Sequence, residues 1–218
     1  MLRRTWMALA GLIGAGVLAS GFAVTRGSDV GSAQAVVEGR TTGVWQAPGG
    51  ARQIPIWPNG APDMEDVSQP SESVLTRRTP EAVDGDLSQA VFDVTEPTMT
   101  VFPPQGKNTG AAVVVFPGGG FRAVVVTVEG TEICNWIAAQ GVTCILSKYR
   151  VPRSNHYWDD DLGRAVTPRV PRALQDAQRT VRLVRSQARE LQINPTKIGV
   201  MGFSAGGHVA ARLSNGFD

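Results

Sequence analysis

Gly202-Phe203-Ser204-Ala205-Gly206 is a G-x-S-x-G pentapeptide set between a short apolar run, Lys197 to Met201, and a stretch suited to a helix, Ala205 to Leu213. A serine at a tight strand-to-helix turn, flanked by glycines, has its Oγ lifted clear of the backbone where it can attack an electrophile. Ser204 is therefore the candidate nucleophile. The competing reading is a glycine-rich strand-to-helix turn whose serine is inert; the apolar run before the pentapeptide and the helix after it favour the nucleophile. A second glycine cluster, Pro117-Gly118-Gly119-Gly120-Phe121, follows the continuous apolar run Ala111 to Phe116. Glycines straight after a buried strand let backbone N–H groups approach a ligand closely, as an oxyanion hole requires. A phosphate cradle is the weaker reading, because neither G-x-x-x-x-G-K-[ST] nor G-x-G-x-x-G spacing accompanies it.

The remaining chemical groups are sparse. Of the two histidines, His208 lies four residues beyond Ser204 on the expected helix, where its ring is expected to pack or cap. His156 belongs to an irregular segment well before the turn, Arg153 to Arg172, which also holds Tyr157 and Trp158. That segment follows a strand's carboxyl end, where open α/β sheets place ligand-contacting loops, so these two aromatics are candidates to stack on a sugar or aromatic group. A loop folded over its own aromatics is the alternative. Asp159-Asp160-Asp161 lacks the spacing and glycine of a calcium loop and reads as a solvated charge run. No metal or cofactor is expected. Cys134 and Cys144, placed on a helix and the following strand, either form a disulfide or stay as separate buried thiols.

The elements that must position these groups follow from periodicity. Ala111 to Phe116 reads as a strand covered on both faces. Glu129 to Gln140 reads as a helix packing through Ile133, Ile137 and Trp136 and stopped by Gly141, and Val142 to Leu146 reads as the next strand. Leu174, Ala177, Val181, Val184, Ala188 and Leu191 recur at steps of three and four, which makes Ala173 to Leu191 the clearest helix. Its Arg179, Arg182, Arg185 and Arg189 read as a solvated face, and Asp176 as a carboxylate favoured near a helix amino terminus. Upstream, Ala90 to Val94 and Thr98 to Phe102 suggest an edge hairpin, Glu65 to Gln89 a loop, and the proline-rich Ile54 to Pro62 an extended surface arm. Strand and helix alternate from residue 111 onward, which predicts a mainly parallel sheet with helices on both sides.

With 21 basic and 19 acidic residues in 218, the net charge of +2 gives no reason to expect a nucleic-acid partner. Arg3 and Arg4 before a long uncharged apolar run have the layout of an export signal, which predicts a secreted or periplasmic protein. The run is also long enough to span a bilayer, so an uncleaved anchor is the one route to a membrane. The expected organisation is a signal or anchor over residues 1–35, a flexible spacer over 36–53, and a folded domain from 54 to the end.

Taken together, Val115 to Phe121, Glu129-Gly130, Lys148 to Pro152, Asp176 to Arg179 and Gly202 to His208 make the chain resemble the α/β-hydrolases, and among them exported acetylxylan-esterase-like carbohydrate esterases. The resemblance implies a three-layer α/β fold in which Ser204 attacks an ester carbonyl and the N–H groups of Gly119, Gly120 and Ala205 receive the oxyanion. It implies an acetylated polysaccharide, or a small ester, as substrate. Related esterases often carry His where Pro117 stands here. In such hydrolases the acid and histidine of the triad follow the serine on later strands, and only fourteen residues follow Ser204. The expectation is thus an amino-terminal part of such a domain that is inactive, or nearly so, alone. A non-catalytic carbohydrate-binding or partner-dependent module, and a serine peptidase, are the alternative functions.

Overall fold

The computed structural model describes residues 38–64, 71–78, 87–151, 157–166 and 171–216. The export segment, His156 and Asp218 therefore lie outside the described residues. No helix among the described residues is long and apolar enough to cross a membrane.

The predicted parallel strands are present. β6 (Ala112–Phe116) pairs in parallel with β8 (Thr143–Lys148) on one side and with β11 (Ile198–Gly202) on the other. All of β8 and most of β6 are buried, which is why Ala111 to Phe116 carries no polar alternation. Two antiparallel strands extend this sheet beyond β8: β5 (Thr98–Phe102) and then β2 (Arg52–Pro55), giving the order β11-β6-β8-β5-β2. α1 (Glu132–Ala139) connects β6 to β8, and α2 (Pro171–Ser186) lies between β8 and β11. These crossovers run in opposite directions along the sheet, and right-handed connections then put α1 and α2 on opposite faces. α3 (Ala205–Asn215) follows β11 and packs beside α2. This is the α/β-hydrolase architecture the sequence predicted, and β6 and β11 flank the point where the strand order reverses. Open α/β sheets bind ligands in that crevice, at the strands' carboxyl ends.

Several amino-terminal expectations are corrected. Glu65 to Gln89 is not simply a loop: β3 (Ser73–Arg78) and β4 (Leu87–Phe92) pair with each other, with β1 (Gly39–Thr42) and with β7 (Ala123–Val125) in an antiparallel sheet ordered β1-β3-β4-β7. Alternate residues Val74, Thr76, Val91 and Val124 are buried on its inner face. The buried Ser73, Thr76 and Ser88 break the apolar alternation that marks a half-buried strand. β4 and β5 consequently belong to different sheets, so the expected hairpin between them does not form. The supposed spacer is ordered over residues 39–53, where β1 and the first half of β2 lie and Trp45 is 3% exposed, its backbone N–H donating to Glu72 Oε1. The segment after Val151 contains a short antiparallel pair, β9 (Tyr157–Asp159) with β10 (Arg164–Val166), rather than irregular chain alone.

On α1, Ile137 packs as expected, but Trp136 is 64% exposed because it lies on the opposite side of the helix. Cys134 on α1 and Cys144 on β8 form a disulfide, closing a loop of sequence separation 10.

Candidate active site

The turn around Ser204 is built by backbone contacts that only small residues permit. Phe203 N–H donates to Phe116 O at 3.1 Å, which ties the end of β11 to the end of β6. A Cβ at Gly206 would lie 1.9 Å from Phe116 O and 2.5 Å from Pro117 O, so any side chain there would push α3 off β6. Ser204 itself sits at φ 47°, ψ −116°, a region other residues avoid at a cost of about 1–3 kcal/mol. Its side chain is exposed and does not cap α3. A serine held in a strained backbone and turned outward, with Ala205 buried at the first position of α3, matches the elbow expected from the pentapeptide.

The glycine loop stands directly beside it. A Cβ at Gly118 would lie 3.0 Å from Ser204 Cβ and 2.8 Å from Glu129 Oε2, so this glycine separates the serine from a carboxylate. Glu129 Oε2 accepts the Gly118 N–H at 2.6 Å, and Tyr149 OH donates to Pro117 O at 2.6 Å. Burial, and secondarily the charge of Glu129, push the Tyr149 phenol well above its ordinary range. It therefore stays a neutral donor at physiological pH. The loop's carbonyls are also engaged: Gly119 O accepts from Arg122 and Ala123 N–H, and Gly118 O from Val125 N–H. Among the described residues, the N–H groups of Gly119 and Gly120 have no protein acceptor. Glu129 and Tyr149 stand in the motifs that carry the family resemblance, where the sequence assigns them no role. Nothing in their spacing shows that both reach one loop.

Other expected site residues are placed differently. The His208 ring packs edge-on against Phe121, with centroids 5.8 Å apart, and no hydrogen bond among the described residues joins it to the Ser204 hydroxyl. Tyr157 and Trp158 contribute backbone to β9, but their side chains lie outside the described residues. Asp176 is more than a helix-terminal carboxylate. It is fully buried and accepts from Trp57 Nε1 at 2.7 Å, from Arg150 N–H at 2.8 Å and from the Arg150 guanidinium at 2.8 Å. Arg179, expected on a solvated face, donates to Ile56 O at 3.0 Å and lies over the Trp57 ring. The proline-rich arm is thus pinned to α2 from both sides.

A second buried pair, Lys148 Nζ to Glu72 Oε1 at 2.6 Å, joins the two sheets. Burial lowers the pKa of Lys148 against the opposing pull of Glu72. Both lie where β8 ends, and both are too buried to meet a substrate.

Comparison with known proteins identifies the family. The BD-FAE family model matches residues 99–215, more than half of the chain and the part that carries both the glycine loop and the elbow. An acetylxylan esterase of Xylanibacter ruminicola is 33% identical over 116 residues, which is 53% of this chain and 21% of that protein. Among solved structures, an acetyl ester-xyloside bifunctional hydrolase from Caldicellulosiruptor lactoaceticus aligns with a TM-score of 0.49 and 28% identity, over 77% of this chain and 48% of that one. The esterase Est2 of Thermogutta terrifontis aligns with a TM-score of 0.43 and 25% identity, over 63% and 42%. The chain thus spans about a fifth of the length of its curated relative. With an outward serine on a strained strand-to-helix turn, a glycine loop beside it, and a family match running through both, the chain belongs to the BD-FAE family, with the α/β-hydrolase fold.

Proposed function

We propose that the site hydrolyses carboxylic esters through Ser204, with an acetylated plant polysaccharide such as xylan as the substrate class. The observation that carries this reading is the pairing of an exposed, strained Ser204 with two N–H groups, on Gly119 and Gly120, that have no acceptor among the described residues. Attack by Oγ on an ester carbonyl creates a tetrahedral oxyanion. Gly119, Gly120 and Ala205 N–H groups are its donors, and each well-placed donor stabilises the transition state by about 3 kcal/mol. The acetylxylan esterase relative supports the acyl and sugar classes. In this reading the amino-terminal segment directs export, and the enzyme works outside the cytoplasm.

Ser204 also needs a base. His208 does not supply it, since its ring is turned to Phe121. Among the described residues no other histidine is at hand, and loss of a triad histidine lowers turnover by about a million-fold, so this reading expects slow turnover from these 218 residues alone. The test is hydrolysis of p-nitrophenyl acetate and release of acetate from acetylated xylo-oligosaccharides, with and without added imidazole, against Ser204→Ala. Serine-dependent turnover that imidazole raises supports the reading. Turnover unaffected by S204A would sink the nucleophile assignment, and full turnover without imidazole would sink the claim that the chain lacks its base.

A further inference from the structure

The outer face of the four-stranded sheet carries a groove that the ester chemistry does not use. Its volume is about 440 Å³, within the range of roughly 300–1,000 Å³ typical of small-molecule sites. The floor is a cross-strand row, Val125 on β7, Ala90 on β4 and Leu75 on β3, in direct register. Arg40 on β1 continues that row, its guanidinium 4.0 Å over the Phe92 ring. Four strands at about 4.8 Å spacing make the row roughly 14 Å long. Arg77 and Arg122 also line the groove, and Gly119 closes it at the glycine loop.

Charge selects the occupant. Arg78, next in the chain, pairs with Glu38, but among the described residues Arg77 and Arg122 have no ion-pair partner. Among the described residues, no carboxylate lines the groove. Two guanidiniums beside an apolar floor suit a ligand that has both flat C–H faces and a carboxylate, since the planar fork of arginine matches a carboxylate's two oxygens. An elongated glycan carrying uronic-acid groups has that chemistry. We propose that this groove binds an acidic segment of the polysaccharide whose ester lies at Ser204, so that the enzyme favours uronate-bearing over neutral chains. This rests on the polysaccharide-ester reading above, and it adds a specificity site outside the reacting atoms. Continuity through Gly119 lets one chain occupy both places.

The experiment measures binding to the full chain by calorimetry at low salt, so turnover is not needed. The probes are a glucuronic-acid-bearing xylo-oligosaccharide and the same oligosaccharide with its carboxyl reduced to the alcohol. Binding of the acidic form roughly tenfold tighter is expected, with the difference shrinking as salt is raised. In an Arg77→Gln, Arg122→Gln double variant with unchanged circular dichroism, that preference disappears while binding of the reduced form persists. Equal binding of the two forms by the native chain, a preference that survives in the double variant, or no binding of either form would each overturn the proposal. So would tighter binding of poly-glutamate, which would make the groove a peptide site. The ester reading is judged separately, by Ser204-dependent acetate release.

Discussion

Replacing Glu129 tests whether the glycine loop is held in shape by a carboxylate. Its Oε2 accepts the Gly118 N–H at 2.6 Å, and Gly118 is the residue packed against Ser204. In Glu129→Ala the amide loses its acceptor in a part-buried position, at a cost of about 1–3 kcal/mol. If that cost falls on the geometry that receives the oxyanion, it corresponds to roughly a 5- to 150-fold loss of rate. Glu129→Gln keeps an acceptor and loses only its charge, so a smaller loss, on the order of fivefold, is expected. The assay is the Ser204-dependent, imidazole-assisted hydrolysis of p-nitrophenyl acetate, with urea unfolding measured in parallel. A spectroscopic readout separates this role from general damage. Glu129 is the second cause, after burial, of the raised Tyr149 pKa, so in E129Q the phenol ionises more readily, seen as tyrosinate absorbance at lower pH than in the native chain. Unchanged turnover in E129A, or an unmoved Tyr149 titration in a folded E129Q, would refute the argument that this carboxylate governs the loop.

Asp176→Ala removes the acceptor of a buried guanidinium and of the Trp57 indole, and should lower the urea-unfolding free energy by about 3–5 kcal/mol, whereas Asp176→Asn should cost less. Because Tyr149 is harder to ionise folded than unfolded, its contribution to stability is fully present below its unfolded pKa of about 10 and is lost as pH rises toward the folded value. Urea midpoints should therefore fall more steeply above about pH 10 in the native chain than in Tyr149→Phe, which has no phenol to ionise. Replacing both Cys134 and Cys144 by serine opens a loop of separation 10 and should cost roughly 2–3 kcal/mol in the same unfolding measurement.

The site and its scaffold were legible in the sequence to different depths. Ala111 to Phe116 and the pentapeptide at Ser204 were readable because burial on both faces and a tight turn each demand particular residue types over a few consecutive positions. The groups that shape the site were not. Glu129 and Tyr149 meet the glycine loop only after the chain folds across the sheet, and no local period records that. Asp176 looked like a helix-terminal carboxylate because its partners, Trp57 and Arg150, are 119 and 26 residues away. The antiparallel sheet was missed for a different reason. Its strands mix polar and apolar residues on both faces: Ser73, Thr76 and Ser88 are buried beside Val74 and Val91, while Leu75 and Ala90 are only half-buried. A search for continuous apolar runs finds β6 and passes over β3.

The clamps on the amino-terminal strands also set a schedule for folding. Glu72 must wait for Lys148, 76 residues later, and Trp57 for Asp176, 119 residues later. At synthesis rates of about 5–20 residues per second, that second interval is roughly 6–24 s. Through it the arm after β2 lacks its lock, although β2 itself can pair with β5 as soon as residues 98–102 are made; until then its unpaired edge is where nascent chains associate wrongly. Contacts so distant in sequence also make folding slow once the chain is complete. The Glu72–Lys148 pair can form first, once residue 148 is made, whereas Trp57 and Arg150 both wait for Asp176, so the two sheets can be joined before the arm is pinned.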